Sequence, residues 1–230
     1  MLTAFGLKII AVITMCFDHV GYILFNSQLS WCNIIGRIAF PIFAFQISEG
    51  YIHTHNLKNY FWRLFLFALI SQIPYNFYEY AIGFPYTLNI FFTLFLGLCT
   101  IYAYDKIPSK FIGIIVVCGL VALGELINVD YGYWGVLLVF SFFVFKKNKV
   151  LLTFGYLGIV ALKYIPLLIQ FNYHVFYVEL FIGTFLAIVP ILLYNGKLGR
   201  KTGKLLYVFY PLHLFILASI NWFNKLYILY

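Results

Sequence analysis

The stretch LKIIAVITMCFDHVGYILF, residues 7–25, decides the fold class of this chain. It is apolar and long enough to cross a bilayer as one helix, which takes about 20 residues. Asp18 and His19 nevertheless lie side by side well inside it. Because an ionisable group in hydrocarbon is costly unless it faces a protein interior or a wet cavity, the pair predicts a functional site within a helix bundle. The alternative is a polar clamp that only holds neighbouring helices together.

The rest of the chain shares this apolar character. Hydrophobic residues make up 64% and charged residues 10%, whereas a soluble domain carries about 25% charged residues. We therefore predict an all-α, polytopic integral membrane helix bundle that forms a single domain over residues 1–230. The first apolar run continues to Phe25 without a small-residue cleavage site, so it is expected to be a retained span and not a signal peptide. The expected partner is the lipid bilayer and not nucleic acid, since basic residues in a membrane protein first report orientation.

Apolar runs separated by Pro, Asn, Gly and charge clusters predict nine transmembrane helices. Their ranges are 6–25, 32–53, 57–77, 87–104, 111–128, 132–145, 149–169, 176–194 and 205–225. The sixth is short for a span, and a re-entrant sixth helix would reverse the side of everything that follows it.

The distribution of basic residues predicts a cytoplasmic N-terminus and a C-terminus on the opposite side. With this orientation most basic residues fall at cytoplasmic helix ends: Lys8, Lys58, Arg63, Lys106, Lys110, Lys146, Lys147, Lys149, Lys197, Arg200, Lys201 and Lys204. Only Arg37, Lys163 and Lys225 fall elsewhere. This split follows the positive-inside rule.

Two histidines and a carboxylate are expected deep in the membrane. Asp18 and His19 follow Lys8 by 10 and 11 residues, which at 1.5 Å per residue places them roughly 15 Å along the helix. His213, in YPLHLFIL, lies nine residues beyond Lys204 and therefore at a similar depth. An imidazole can take up a proton near neutral pH, so His19 is the predicted general base, with a shared cavity between the two histidines. A buried structural histidine is the alternative for His213.

The second predicted helix carries ionisable residues at both ends. Arg37 lies in the outer half, where it either neutralises Asp18 or reaches to the interface. Glu49 and His53 are spaced i,i+4 and can pair on one helix face. Pro41 is expected to bend the helix between these ends. His53 and His55 form only an HxH pattern, and the four cysteines are scattered, so no metal site is expected.

Basic residues at the cytoplasmic end predict an anion-binding vestibule. Lys58 lies at the edge of the third helix and Arg63 about 7 Å further in. Arg200 and Lys204 precede the last helix. Such side chains suit the phosphates of a cytosolic ligand. Anionic lipid headgroups are the alternative, although they account less well for Arg63, which lies inside the span.

Five segments together resemble the TraX family of membrane proteins: LKIIAVITMCFDH, RIAFPIFAFQISEGY, YFWRLFLFALISQIPYN, LNIFFTLFLGL and GKLGRKTGKLLYVFYPLHLFIL. They run in order along nearly the whole chain. The layout is more distantly similar to the acyltransferase-3 family, whose first helix opens L-R-G-[IL]-A and ends in an active-site histidine. Here Lys8 replaces the arginine, His19 takes the histidine position and His213 lies one place before the family's closing histidine. The family's R-x-x-R pair is absent; Arg63 remains, with Lys58 five residues before it.

The resemblance implies a membrane-embedded acyltransferase of the bacterial inner membrane. It would move an acetyl group from cytosolic acetyl-CoA to an amine or hydroxyl of an acceptor peptide, such as a pilin N-terminus, or of a glycan. His19 would act as the base with Asp18 beside it. Lys58, Arg63, Arg200 and Lys204 would hold the donor, and Arg37, Glu49 and His213 would contact the acceptor. A proton-coupled secondary transporter and a structural membrane subunit are the alternative functions.

Overall fold

The computed structural model describes residues 1–25, 30–200 and 205–228, and it confirms the all-α prediction. The helices are α1 (Ala4–Phe25), α2 (Ser30–Gly36), α3 (Ala39–His53), α4 (Leu57–Ile82), α5 (Ile90–Lys106), α6 (Lys110–Leu126), α7 (Gly132–Phe145), α8 (Lys149–Gln170), α9 (Val175–Leu186), α10 (Ile188–Leu192) and α11 (Leu205–Ile228). Each of the nine predicted ranges contains helix, and the short sixth range is matched by α7.

Several helical segments have the length and composition of membrane spans. Five of them meet both criteria: Ala4–Phe25, Trp31–His53, Lys149–Gln170, Val175–Leu192 and Leu206–Asn224. These segments support a polytopic membrane protein. Nine spans and a cytoplasmic N-terminus stay predictions.

The second predicted helix breaks earlier than expected. The bend was predicted at Pro41, but the break lies at Arg37 and Ile38, between α2 and α3. Pro41 instead occupies the third position of α3, in the first turn. A proline is tolerated there because its missing N–H has no partner within the helix. The break separates Arg37 from α3 and leaves its side chain beside α1.

Close approach of α2 to α1 positions the ionisable residues of both helices. Gly36 has no side chain, and a Cβ there would overlap the Asp18 carboxylate. One turn further along α1, a Cβ on Gly21 would lie 2.7 Å from that of Cys32. These small residues let the two backbones pack closely, as is common between membrane helices.

The ends of the bundle are tied by backbone hydrogen bonds. At one end, here called the basic end, the Leu2 amide donates to the Leu193 carbonyl (2.8 Å) and the Ala4 amide to the Lys197 carbonyl (2.8 Å). At the other, the loop end, the Leu88 amide donates to the Asn128 carbonyl (2.9 Å). The Asp130 amide donates in turn to the Leu88 carbonyl (2.7 Å). The loop before α7 is thereby held against the loop before α5.

Candidate functional site

Asp18 and Arg37 form a buried ion pair. Arg37 Nη2 lies 2.5 Å from Asp18 Oδ2, and Arg37 Nε donates to Asp18 Oδ1 at 3.3 Å. Asp18 is 7% exposed. The guanidinium also lies over the Tyr22 ring, 5.6 Å from its centroid. Of the two predicted roles for Arg37, neutralisation of Asp18 is therefore confirmed.

His19 and His213 are in direct contact, although 194 residues separate them. His19 Nδ1 lies 2.7 Å from His213 Nε2, and the two rings stack with centroids 4.9 Å apart. The Tyr78 hydroxyl donates to the His19 carbonyl at 2.9 Å. The Phe209 ring also stacks on His213, with centroids 5.0 Å apart. The expected proximity of the two histidines is confirmed, but they touch directly and do not face each other across a shared cavity.

The partners of the two rings determine which nitrogens carry protons. His213 Nδ1 lies 3.0 Å from the Phe209 carbonyl oxygen, which can only accept, so this nitrogen donates. In a neutral imidazole the other nitrogen then accepts, and His213 Nε2 takes its hydrogen bond from His19 Nδ1. His19 Nε2 is left with a free lone pair. The arrangement gives His19 the form that a general base needs.

A small cavity, here called the histidine chamber, lies beside this pair. Its volume is about 20 Å³, and its lining includes Asp18, His19, Ala39, Phe40, Asp130 and Tyr131. Arg37 and His213 are not in its lining, so they act on it through Asp18 and His19. Their predicted direct contact with an acceptor is not favoured by this placement.

Asp130 brings a second carboxylate to the histidine chamber from the loop end. Its side chain is accessible to water, and among the described residues no lysine or arginine lies within ion-pair distance. Crowding by protein atoms disfavours the charged form and raises the pKa of this carboxyl to about 7, while the Arg37 charge opposes the rise. Asp18, Arg37 and Asp130 together leave the chamber a negative charge when Asp130 is ionised.

A much larger cavity, the basic cavity, opens at the basic end. Its volume is about 500 Å³. The cationic side chains in its lining are Lys8 of α1, Arg63 of α4 and Arg200 of the segment before α11. Glu49 lies in the wall as well, 3.5 Å from His53, which confirms their predicted pairing and places Glu49 away from the histidine chamber.

Arg63 is held in place by aromatic rings, and one of its donors has no partner. Its guanidinium carbon lies 5.4 Å from the Tyr60 ring centroid and 5.2 Å from that of Tyr207. Its Nε is buried and makes no hydrogen bond to the part of the chain that the structure describes. The Arg63 side chain also lines the basic cavity, where its positive charge suits an anionic ligand.

The two cavities share part of their walls. Met15, Phe43, Ile90 and Tyr210 line both, and we call this boundary the neck. The Tyr210 ring lies edge-on to Phe91 (5.2 Å) and close to His213 (5.7 Å). The neck is therefore a wall common to the two cavities, and its Tyr210 lies beside the histidine pair.

The remaining predicted donor-binding residues are placed differently. Lys58 is exposed and is not in the lining of the basic cavity, so its predicted contact with the donor stays a prediction. Lys204 lies outside the described residues. Within the described residues (1–25, 30–200 and 205–228) no cluster of His, Cys, Asp or Glu could hold a metal ion.

Sequence reasoning missed Asp130 and Tyr210. The DYGYWG stretch at 130–135 is typical of an aromatic belt at the membrane interface, and this pattern does not indicate that Asp130 contributes to a site. The sequence feature that could have indicated a site is the position of the Asp130 carboxylate between two apolar helices, α6 and α7. Its approach to His19 depends on the backbone pairing of two loops, which no local pattern announces.

Comparison with known proteins shows the family. The TraX protein family model matches residues 5–221, so the chain belongs to the TraX family. The chain is also 29% identical to the probable fimbrial assembly protein FimC, serogroup H1, of Dichelobacter nodosus, over 96% of both chains. It is 35% identical to uncharacterized protein RP591 of Rickettsia prowazekii (strain Madrid E) over 46% of this chain and 39% of that protein. No solved structure matches significantly.

Proposed function

We propose that this TraX-family protein is a membrane-embedded acetyltransferase that moves an acetyl group from acetyl-CoA to an amine on an exported acceptor. The observation that supports this most is the wall that the two cavities share. Among the described residues three cationic side chains line the large cavity, and across the neck lies the chamber that contains a histidine with a free lone pair. In this proposal the donor is bound on one side of the neck and the base acts on the other.

The basic cavity is the proposed donor site. Arg63, Lys8 and Arg200 line this cavity and give it positive charge. Guanidinium and ammonium groups bind phosphates through charge-assisted hydrogen bonds, so these three side chains would hold the nucleotide part of acetyl-CoA. The donor supplies an acetyl thioester, whose reactive carbon must reach the neck.

His19 is the proposed general base. The acceptor attacks as a neutral amine, after its ammonium form has released one proton to solvent. His19 Nε2 accepts a second proton as the nitrogen bonds to the acetyl carbon and the carbon–sulfur bond breaks. CoA leaves as the thiolate towards the basic cavity and takes up the proton that His19 releases. His213 accepts the Nδ1 proton of His19 in a hydrogen bond, so it keeps the ring oriented while Nε2 takes up charge. The Asp18–Arg37 pair fixes the backbone turn that carries His19.

The charge of the histidine chamber favours an amine acceptor over a hydroxyl. Asp18 is neutralised by Arg37, whereas Asp130 has no such partner among the described residues. An ionised Asp130 therefore attracts a cationic ammonium group towards His19. The relative named as a fimbrial assembly protein makes the N-terminus of a fimbrial or pilin subunit a reasonable acceptor to test first.

We place the basic end in the cytoplasm of a bacterium and the protein in its inner membrane. The positive-inside rule supports this orientation, which gives the basic cavity access to cytosolic acetyl-CoA. A cysteine placed at Asn195, in a Cys118→Ser background, should resist an impermeant thiol reagent in intact cells. Labelling by this reagent in intact cells would show that the basic end faces the outside.

The test is transfer of label from acetyl-CoA. Membranes from cells that carry or lack the gene are incubated with acetyl-labelled acetyl-CoA, and label is followed into protein and glycan fractions by mass spectrometry. We expect gene-dependent incorporation at an amine. Equal incorporation with and without the gene would contradict the proposal. Labelled glycan hydroxyls would retain the acetyltransferase but overturn the amine acceptor.

A further inference from the structure

The histidine chamber differs from the basic cavity most of all in size. Its volume is about 20 Å³, against about 500 Å³ for the basic cavity. A void needs about 10–15 Å³ to admit one water molecule. The chamber therefore has room for about one water-sized group, such as a methyl group, beside His19.

The walls of the chamber are fixed. Phe40 is 1% exposed, stacks on the Tyr131 ring with centroids 3.6 Å apart and meets Trp134 edge-on at 5.4 Å. Ala39, the residue before it, is 6% exposed. Movement of Phe40 towards either Tyr131 or Trp134 would therefore displace another ring.

From these dimensions we propose that the histidine chamber is an acyl-length filter, with Met15 and Phe43 of the neck and Ala39 of the chamber as its specificity-determining residues. This inference rests on the proposed function. A donor that enters from the basic cavity leads with its acyl group, which passes the neck before its carbonyl carbon reaches His19. An acetyl methyl fills the chamber, and the amine that Asp130 attracts approaches the acetyl carbon from the loop end. A longer chain meets Phe40, and the carbonyl carbon stops short of the base.

The filter acts on turnover more than on donor binding. The nucleotide remains in the basic cavity whatever the acyl chain, and a longer chain can fold back into that cavity. Each methylene that a pocket discriminates typically changes kcat/KM by about 10–200-fold. Two additional methylenes, as in a butyryl group, should therefore reduce transfer at least about 100-fold relative to acetyl.

The experiment compares acyl donors in the membrane transfer assay. Acetyl-, propionyl- and butyryl-CoA, each labelled in the acyl group, are given to membranes with the wild-type full chain, Met15→Ala or Phe43→Leu. Ile13→Ala is the matched control, because Ile13 lies on the same helix but is 51% exposed. Both neck variants should narrow the acetyl-to-butyryl preference at least tenfold, and Ile13→Ala should leave it unchanged.

Ala39→Val tests a smaller chamber, whereas the two neck variants enlarge the space around the acyl group. The added methyl groups fill the chamber, so acetyl transfer should fall at least tenfold while acetyl-CoA binding stays within twofold of wild type. Equal use of acetyl and butyryl donors by the wild type would overturn the inference. An unchanged acetyl-to-butyryl preference in Met15→Ala or Phe43→Leu, if that variant is present in the membrane at wild-type amounts, would overturn it as well. Absence of gene-dependent acetyl transfer in the wild type would instead contradict the proposed function.

Discussion

The basic cavity and the histidine chamber differ in size and in how their ionisable side chains are partnered. The basic cavity is large and open, and it leaves a buried Arg63 donor without a partner in the described chain. The histidine chamber is small, and its ionisable side chains are ordered by one another through the Asp18–Arg37 and His19–His213 contacts. In the proposed mechanism this difference corresponds to two separate roles, with the basic cavity binding the anionic donor and the histidine chamber orienting the base.

The largest effect is expected at the histidine chamber. His19→Ala should reduce acetyl transfer by about 10²–10⁴-fold, the usual contribution of a general base. Binding of acetyl-CoA should remain near wild type, since His19 does not line the basic cavity. Labelled transfer and a binding titration on the same preparation test this, with the exposed His55→Ala as control. Near wild-type turnover would remove His19 from the mechanism.

The ion pair behind the chamber should matter for stability. Arg37→Met leaves Asp18 buried without a counter-charge, and loss of one partner of a buried pair typically costs about 3–5 kcal/mol. Asp18→Leu together with Arg37→Met should recover much of this loss, because it removes both charges. Unfolding of the detergent-solubilised protein in a denaturant series measures the difference. If Arg37→Met were as stable as wild type, the Asp18–Arg37 ion pair would not be buried in the folded protein.

The next effect belongs to the basic cavity. Arg63→Met should weaken acetyl-CoA binding at least tenfold, since a charge-assisted hydrogen bond contributes about 1.5–3 kcal/mol. Turnover at saturating donor should change little. Lys58→Met is the matched control, because this exposed side chain does not line the cavity, and its affinity should stay within twofold. Equal losses in both variants would assign the effect to surface charge.

The smallest effect is a pH dependence of acceptor use. With a pKa of about 7, Asp130 ionises as the pH rises, so attraction of an ammonium group is present above pH 7 and lost below it. Between pH 6 and 8 its ionised fraction rises up to about tenfold. The KM for a cationic peptide acceptor should fall accordingly in the wild type and less in Asp130→Asn. Any effect of pH on His19 is common to the wild type and Asp130→Asn, so the ratio of their KM values reports on Asp130 alone. A KM ratio that does not change with pH would show that Asp130 does not bind the acceptor.

The depth of the site could be predicted from the sequence because helical rise is regular. Asp18, His19 and His213 were placed at similar depth by counting residues from basic helix ends. The pairing of Arg37 with Asp18 followed from the cost of leaving either charge alone in the membrane. Both contacts are present in the structure.

The parts that sequence missed depend on direction and on distant loops. Lys58 and Arg63 are five residues apart, which separates them by about 140° around the helix axis, so they cannot line one cavity side by side. The helical repeat in the sequence therefore already separates Lys58 from Arg63. The position of Asp130 could not be predicted, because it depends on the pairing of its loop with Leu88.

Acetyl-CoA-dependent thermal stabilisation tests the division between the two regions most directly. A ligand at 100 times its dissociation constant stabilises the folded state by about 2.7 kcal/mol. Detergent-solubilised wild type and His19→Ala should show equal upward shifts of Tm as acetyl-CoA is titrated, and Arg63→Met should need at least tenfold more ligand for the same shift. No shift in the wild type, or a shift that His19→Ala loses and Arg63→Met keeps, would contradict the account.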